Sequence, residues 1–595
     1  MNKKALLGLT LVIMFSLSTF LGQAQETEIQ TAFSINLLSP NTSAARNQWS
    51  LLMEQQLPKI GIGVAFHEST GWGNIGPRTW DYPLLDYDYI PTYEQGGYDL
   101  FFVGWSWGLD FDPTGLYDTA SMIPNGDNHY QYSNPLYDTK LDQYLTELDD
   151  DTREGYAHEL QAMLYEDLPA ICLVYPRSLF GFKEGLVGID GLLIASSNHR
   201  AEYWDDPDDH IIKYGIPADL KEPNIFVVSS FYDMQWMQTV YGSLYKREQV
   251  TAEWTEQIAL NSTISAIIDD KINMTVFLDP DAKFSNGNPV LPSDVEYSYE
   301  LVLTPAVGSQ DYSYLNKWLA SNDSISIVGP DVAGGQLLFE LTGVYNFAKS
   351  LLTYGIIEKT VVAANIAANG YDIFAEVPLT GDVGDDLVTS CGPFVMEAFD
   401  PALSVMKLVP NTFYLDPVLL DELYLTFISG KDSAVASLLA GEIDIMDAQY
   451  FPVLSDFENV AGVEGVLIKD PAHQELGVNM KHPILGTGEL TPAGTADAAK
   501  GIRKAISHAV PRQTIVDEIL EGLGAPGVVP CPDSVVGFNT DLDFYAYDLD
   551  LAIDYIEAAG YIVEVEVPTV GGIAGLVFLS FLGLAAIAGF KKYKK

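Results

Sequence analysis

The chain has 595 residues, of which 48% are hydrophobic and 12% aromatic, enough for a large folded core in three or four domain-sized units and too apolar for a disordered polypeptide. Its formal charge of −50 at pH 7 repels phosphate backbones and excludes nucleic acid as a partner. Three cysteines without a close pair, Cys172, Cys391 and Cys531, exclude a disulfide-dense scaffold and a CxxC metal site, and no disulfide is expected.

Met1 to Gln25 joins a basic start, a long apolar run and small residues at Gly22 and Ala24, the pattern of a secretory signal removed after Ala24. Ala32 to Leu38 predicts a strand, and Ala44 to Leu57 a helix with Trp49, Leu52, Met53 and Leu57 on one face. Ile60, Ile62 and Val64 alternate like a second strand, and Tyr98 to Val103 reads as a buried one. Helices are expected over Leu141 to Leu148 and Tyr156 to Leu164, then a strand over Ile171 to Tyr175. Strands alternating with helices define an α/β region with a partly parallel sheet.

Between about 200 and 225 the composition turns to aspartate and proline, marking a boundary or surface excursion. Beyond it, strands are expected at Ile264 to Ile268, Asn273 to Leu278, Val405 to Val409 and Glu422 to Phe427. Helices are expected at Pro292 to Leu303, Ser433 to Ala440, Gly501 to Ala509, Gln513 to Glu521 and Asp548 to Ala559, the last opened by Asp548 and closed by Gly560. Ile562 to Thr569 forms a short stem, and the uncharged run Val570 to Phe590 is long enough to cross about 30 Å of hydrocarbon, with the lysines of 591–595 on the cytoplasmic side. Six lysines sit in the two end segments, so the body between them carries about −56.

Signatures of catalysis are sparse. HExxH, the phosphate-binding GxxxxGK[ST] and a G-x-G-x-x-G opening a helix are all missing. The pentapeptide GWSWG, Gly104 to Gly108, fits G-x-S-x-G, but the LDFDP after it is a poor helix start, so Ser106 is not read as a nucleophile. The eight histidines are scattered, and no metal ligand set or cofactor is expected. What remains is binding: Trp105 and Trp107 follow a buried strand, where α/β sheets place ligand loops, with Asp110 offering one fixed negative charge.

The segments KIGIGVAF, GGYDLFFVGWSWGLDFDP, YSNPLYDTKLDQYLTE and DLPAICLVYP resemble, in that order, the C-terminal third of the family 5 extracellular solute-binding proteins, the dipeptide/oligopeptide-type receptors of ABC importers. Segments resembling the family's earlier parts come later: SSFYDMQWMQTVYGSLYKRE, VFLDPDAKFSNGNPVLPSDVEYSYELV, SCGPFVMEAF, SLLAGEIDIMDA, GIRKAISHAVPRQTIVDEIL and YDLDLAIDYIEAAGY. The resemblance covers roughly residues 30–195 and 223–561 and implies a circularly permuted form of that fold. Permutation is tolerable where old and new ends lie at the surface.

The resemblance implies a two-lobed, periplasmic-binding-protein-like α/β fold of type II with an extra subdomain, followed by one C-terminal transmembrane helix. The expected divisions are a signal at 1–24, a first lobe at 25–185 completed by 475–561, and a second lobe at 186–474 with an inserted subdomain near 235–385. The stem is 562–569, the membrane helix 570–590 and the tail 591–595, with chain crossings between lobes near 183–190 and 470–478. By resemblance, Asp110 would meet a ligand's ammonium, with Asp112 as the alternative because the loop departs from the family pattern by one residue. Trp105, Ser106 and Trp107 would wall the cleft, Tyr232 and Trp236 would face them, and Ser390, Cys391 and Gly392 would form a close-approach turn. The expected function is a non-enzymatic, monomeric receptor at the cell surface, tethered to the cytoplasmic membrane, that hands peptides to an ABC permease and its ATPase subunits. Oligosaccharide or another solute in the same fold, or a sensory or adhesive protein without a transport partner, are the alternatives.

Overall fold

The computed structural model describes residues 28–189, 199–220, 225–226, 228, 230–309, 311–371, 389, 391–400, 402–563 and 565–566. The expected signal segment 1–24, the span 570–590, the tail 591–595 and Ser390 lie outside the described residues. Among the described residues no helix is long and apolar enough to cross a membrane.

In chain order the first part contains β1 (Glu28–Ile29), β2 (Phe33–Pro40), α1 (Ala44–Gln56), β3 (Ile62–Thr70), β4 (Leu100–Ser106), α2 (Pro135–Thr146), α3 (Asp150–Asp167) and β5 (Ala170–Lys183). There follow β6 (Ile211–Ile216), α4 (Phe231–Val240), β7 (Tyr245–Arg247), β8 (Trp254–Glu256), β9 (Ala259–Ile264), β10 (Asn273–Leu278), α5 (Pro292–Val302), β11 (Ile325–Val328), β12 (Gln336–Glu340) and α6 (Lys359–Asn369). The remainder holds β13 (Phe394–Asp400), β14 (Val405–Pro410), β15 (Glu422–Phe427), α7 (Lys431–Leu439), β16 (Ile445–Met446), β17 (Val463–Lys469), β18 (Ala472–Val478), α8 (Ala496–His508), β19 (Gly524–Pro526), α9 (Leu549–Ala558) and β20 (Val565–Glu566).

A mixed sheet of twelve strands runs β13-β14-β15-β6-β16-β5-β18-β4-β2-β3, with β17 and β19 also paired to β5. β5 is the pivot of this order. Its first residues pair with β18 and β19, and its last, from Arg177 to Lys183, pair with β17 and β16. Both connections between the halves therefore pass side by side, at 176–178 in β5 and at 469–472 between β17 and β18. Pro176 sits at the changeover of partners, where an absent N–H disturbs the ladder least.

Each half has its own core. In the first, Ile35, Leu37, Trp49 and Met53 pack with Ile502, Ile506, Ala552 and Ile556, so the start and the end of the described chain complete one body. The Phe33 and Tyr561 rings lie 4.8 Å apart, and β1 pairs antiparallel with β20. The second core gathers Trp204, Tyr214, Trp236 and Met237 with Phe284, Tyr299 and Phe339, joining the antiparallel sheet β11-β12-β10-β9 to the second half.

Several elements differ from their predicted extents for identifiable reasons. The helix expected at 141–148 begins at Pro135, because Asn134 Oδ1 accepts from the Leu136 N–H at 3.0 Å and proline suits the first helical position. The strand expected at 264–268 instead spans β9 and stops at Ile264, since Asp269 and Asp270 adopt φ of 52° and 59° in the turn that follows. In place of a regular helix over 513–521, a single turn at Arg512–Thr514 passes into the wider π-helical Ile515–Ile519, with Leu520 N–H donating to Ile515 O at 2.9 Å.

Candidate ligand-binding cleft

β4 pairs antiparallel with β18, which sets Trp105 opposite His473 and carries Ser106 to the exposed end of the strand. Beyond Ser106 the chain runs on as a loop with no helix, so the strand–turn–helix geometry of a nucleophile elbow is not formed at this position. Backbone bonds pin the loop: Trp107 N–H donates to Pro471 O at 2.8 Å, Phe111 N–H to Val536 O at 3.2 Å, and Val536 N–H to Leu109 O at 2.8 Å.

Across from the loop stands α4, whose start is capped by Ser230 Oγ accepting from Asp233 N–H at 3.4 Å. Helical spacing puts Met234, Met237 and Gln238 on its cleft side, and the chain continues through Tyr241 into β7. Between loop and helix lies a cavity of about 590 Å³, walled by Trp107, Asp110, Met237, Lys246, Tyr314 and Tyr354 among others. Cavities of this size with aromatic walls and a few charged groups suit small organic ligands.

An ion pair closes one side. Arg247 Nη2 donates to Asp110 Oδ2 in a short contact between the halves, while the Arg247 guanidinium lies 3.5 Å from the Trp254 ring centre and Nη1 donates to Ala252 O at 2.8 Å. A second cavity of about 620 Å³ lies beyond this pair and shares Asp110, Arg247 and Trp254 as its wall. Lys246, next in sequence, points elsewhere: its Nζ donates to Gln238 O at 2.6 Å, and burial pulls its ammonium down to about 8 against the opposing pull of Glu202. The Trp107 Nε1–H is buried with no acceptor among the described residues.

Under the loop, Glu475 is fully buried and accepts from Trp105 Nε1 at 3.2 Å, from the Tyr130 hydroxyl in a short bond, and lies 2.9 Å from His473 Nε2. Burial, reinforced by Glu475, holds the Tyr117 and Tyr130 phenols well above their ordinary range.

Of the residues singled out from sequence, Trp107 and Asp110 line the cavity. Trp105 stands behind them against Trp80, ring centres 5.9 Å apart, and Ser106 is exposed at the strand end. Asp112 turns away, its Oδ1 accepting from Thr114 N–H at 3.1 Å. Tyr232 is buried with its hydroxyl on Asp447 Oδ1 at 2.9 Å, and Trp236 is buried with Nε1 on Asp233 Oδ1 at 3.0 Å, so both brace α4 from behind. The Cys391–Gly392 turn packs on the end of α4: Gly392 N–H donates to Val240 O at 3.0 Å, and a Cβ there would stand 2.2 Å from that oxygen. Burial raises the Cys391 thiol, consistent with a packing role. Lys246, Arg247, Met237 and Tyr354 were not anticipated, although adjacent cations in so acidic a chain were a visible signal.

A cavity between the two halves of one continuous α/β sheet is the architecture of a periplasmic-binding-protein-like fold. The chain belongs to the bacterial extracellular solute-binding proteins of family 5, whose middle-region profile matches residues 252–566. It is 24% identical over 326 residues to the oligopeptide-binding protein OppA of Bacillus subtilis, covering 52% of this chain and 55% of that one. It is also 24% identical over 180 residues to heme-binding protein A of Haemophilus influenzae, covering 30% of each. The chain thus spans about half or less of these curated relatives. Among solved structures, the MppA periplasmic murein tripeptide binding protein in its unliganded open form superposes with a TM-score of 0.45 at 17% identity, covering 60% of this chain and 66% of that one.

Proposed function

We propose that this protein is a cell-surface receptor that binds peptides between its two halves and presents them to an ABC importer, with a permease and ATPase subunits as partners. The observation that carries this reading is the cavity of about 590 Å³ between the tryptophan loop and α4, formed by residues from both halves. Two adjacent strand passages, at 176–178 and 469–472, are suited to act as a hinge on which the halves close over a ligand. The OppA relationship favours peptides as the cargo.

The receptor is, in this proposal, a circular permutation of the family fold. The family profile takes up at residue 252 and runs to 566, whereas the segments that resemble the family's C-terminal third precede residue 195. Contact between Phe33 and Tyr561 is what the joined original ends would give. The run at 570–590 would tether the first half to the membrane after removal of the signal at 1–24. Aromatic walls from Trp107, Tyr241, Tyr314 and Tyr354 favour a second reading, a sugar stacked on those rings.

Native mass spectrometry of the purified full-length chain tests the choice. Short peptides released on denaturation, and lost when Met234→Trp fills the cavity, would support the proposal. Bound oligosaccharide, or peptides retained undiminished by Met234→Trp, would defeat it.

A further inference from the structure

Apart from the hinge strands and the Asp110–Arg247 pair, the halves meet where the turn at 345–347 of the second lies against the end of α2 in the first. Tyr144 O, near the end of α2, lacks its regular helical donor, because Leu148 N–H is turned to Glu147 Oε1 at 2.9 Å. Asn346 Nδ2 supplies a donor from the other half, at 3.1 Å. Phe347 is 8% exposed and joins the aromatic cluster of the first half, its ring centre 6.1 Å from that of Tyr144, which packs on Phe111 in turn. In the other direction, Leu148 of the first half packs against the core of the second. The turn is braced from its own side. The Tyr345 ring stacks on Trp318 at 4.1 Å, its hydroxyl meets that of Tyr314 at 2.7 Å, and Ser350 N–H donates to Phe347 O at 2.8 Å.

Parting the halves would expose Phe347 and Leu148 to water, which opposes opening. Asn346 Oδ1 works the other way: it is buried with no donor among the described residues, and opening would hydrate it. Every partner in this contact belongs to the chain itself, so the contact does not depend on what enters the cavity of about 620 Å³ that Asn346 and Phe347 help to wall. We propose that Asn346 and Phe347 form a latch that keeps the halves closed before any ligand arrives, so that release of the latch gates entry to the cleft. The proposal rests on the reading of a receptor whose halves move about the strand passages at 176–178 and 469–472.

Double electron–electron resonance on the full-length chain tests it, with spin labels at Glu154→Cys in the first half and Glu253→Cys in the second. Both positions are exposed walls of the second cavity, whereas Cys172, Cys391 and Cys531 are buried and escape labelling. The chain is freed of bound solute in urea and refolded, and no peptide is added. The labelled wild type is expected to show one short distance, and Phe347→Ala and Asn346→Ala in the same background a longer one as the main population. Variants that keep the wild-type distance overturn the latch, as does a wild type that already shows the longer distance. Trialanine separates this outcome from the receptor reading: a wild type that starts open and shortens when it is added loses the latch and keeps the receptor. Where Phe347→Ala fails to fold, the wild-type distance and Asn346→Ala, which removes a single hydrogen bond between the halves, decide the outcome.

Discussion

Arg247 ties the two halves through Asp110 while its flat guanidinium covers Trp254, so its loss removes an ion pair and a cation–π contact at once. Arg247→Gln is expected to lower stability by about 2 kcal/mol, and Asp110→Asn alone by less, because Asp110 is the more exposed partner. Urea unfolding of the two single variants and the double variant measures this; fully additive losses would show that the pair contributes nothing as a pair. A different kind of residue stands at the turn by α4. Gly392→Ala places a methyl group 2.2 Å from the Val240 carbonyl oxygen, where only backbone movement relieves the clash, and should cost about 2 kcal/mol or more. An unchanged thermal midpoint would contradict the close approach. Trp107 and Asp110, which line the cavity, could be singled out in sequence because aromatics and an acid after a buried strand form a local pattern. Their partner Arg247 was not, because it lies 137 positions from Asp110 and only tertiary folding brings them together.

At the level of elements, α9 shows how much a local signal can fix. Asp548 was legible as its cap, and its Oδ1 accepts from Leu551 N–H at 2.9 Å. Asp548→Ala should cost about 1 kcal/mol. Hydrogen exchange should quicken at the first turn of Leu549–Ala558 before it does in α8, against which α9 packs; uniform protection in both would argue that packing alone sets the helix start. β2, α1, β10, α5 and β15 followed their periodicity closely. β5 did not: Pro176, Arg177 and Ser178 interrupt its apolar run, and its continuation through Leu179, Phe180 and Phe182 to Lys183 depends on β17 and β16 supplying partners from the other half.

For the molecule as a whole, acid should be damaging through buried imidazoles. Burial lowers His129 to about 4 and His199 to about 3, below the 6.5 of an unfolded chain. The unfolded state therefore takes up protons first as pH falls, so the stability these residues contribute is complete above pH 6.5 and is lost progressively below it. Between pH 7 and pH 5 the wild type should lose about 2 kcal/mol more than His199→Gln, read from urea midpoints; equal losses would remove His199 from the account. The α/β class was legible from strands alternating with helices, and the order of motifs raised the expectation that residues near 33 pack beside those near 560, where the Phe33 and Tyr561 rings meet. The cleft's charges were not, because they depend on how closely the halves approach.

One consequence follows from β5 crossing the molecule unbroken. The halves are leaves of one pleated ribbon, so parting them flexes a spring whose inter-strand bonds near Pro176 resist like stiffened cloth. A joint of this kind is expected to resist wide parting, with the ladder bonds on either side of Pro176 setting the limit of its travel.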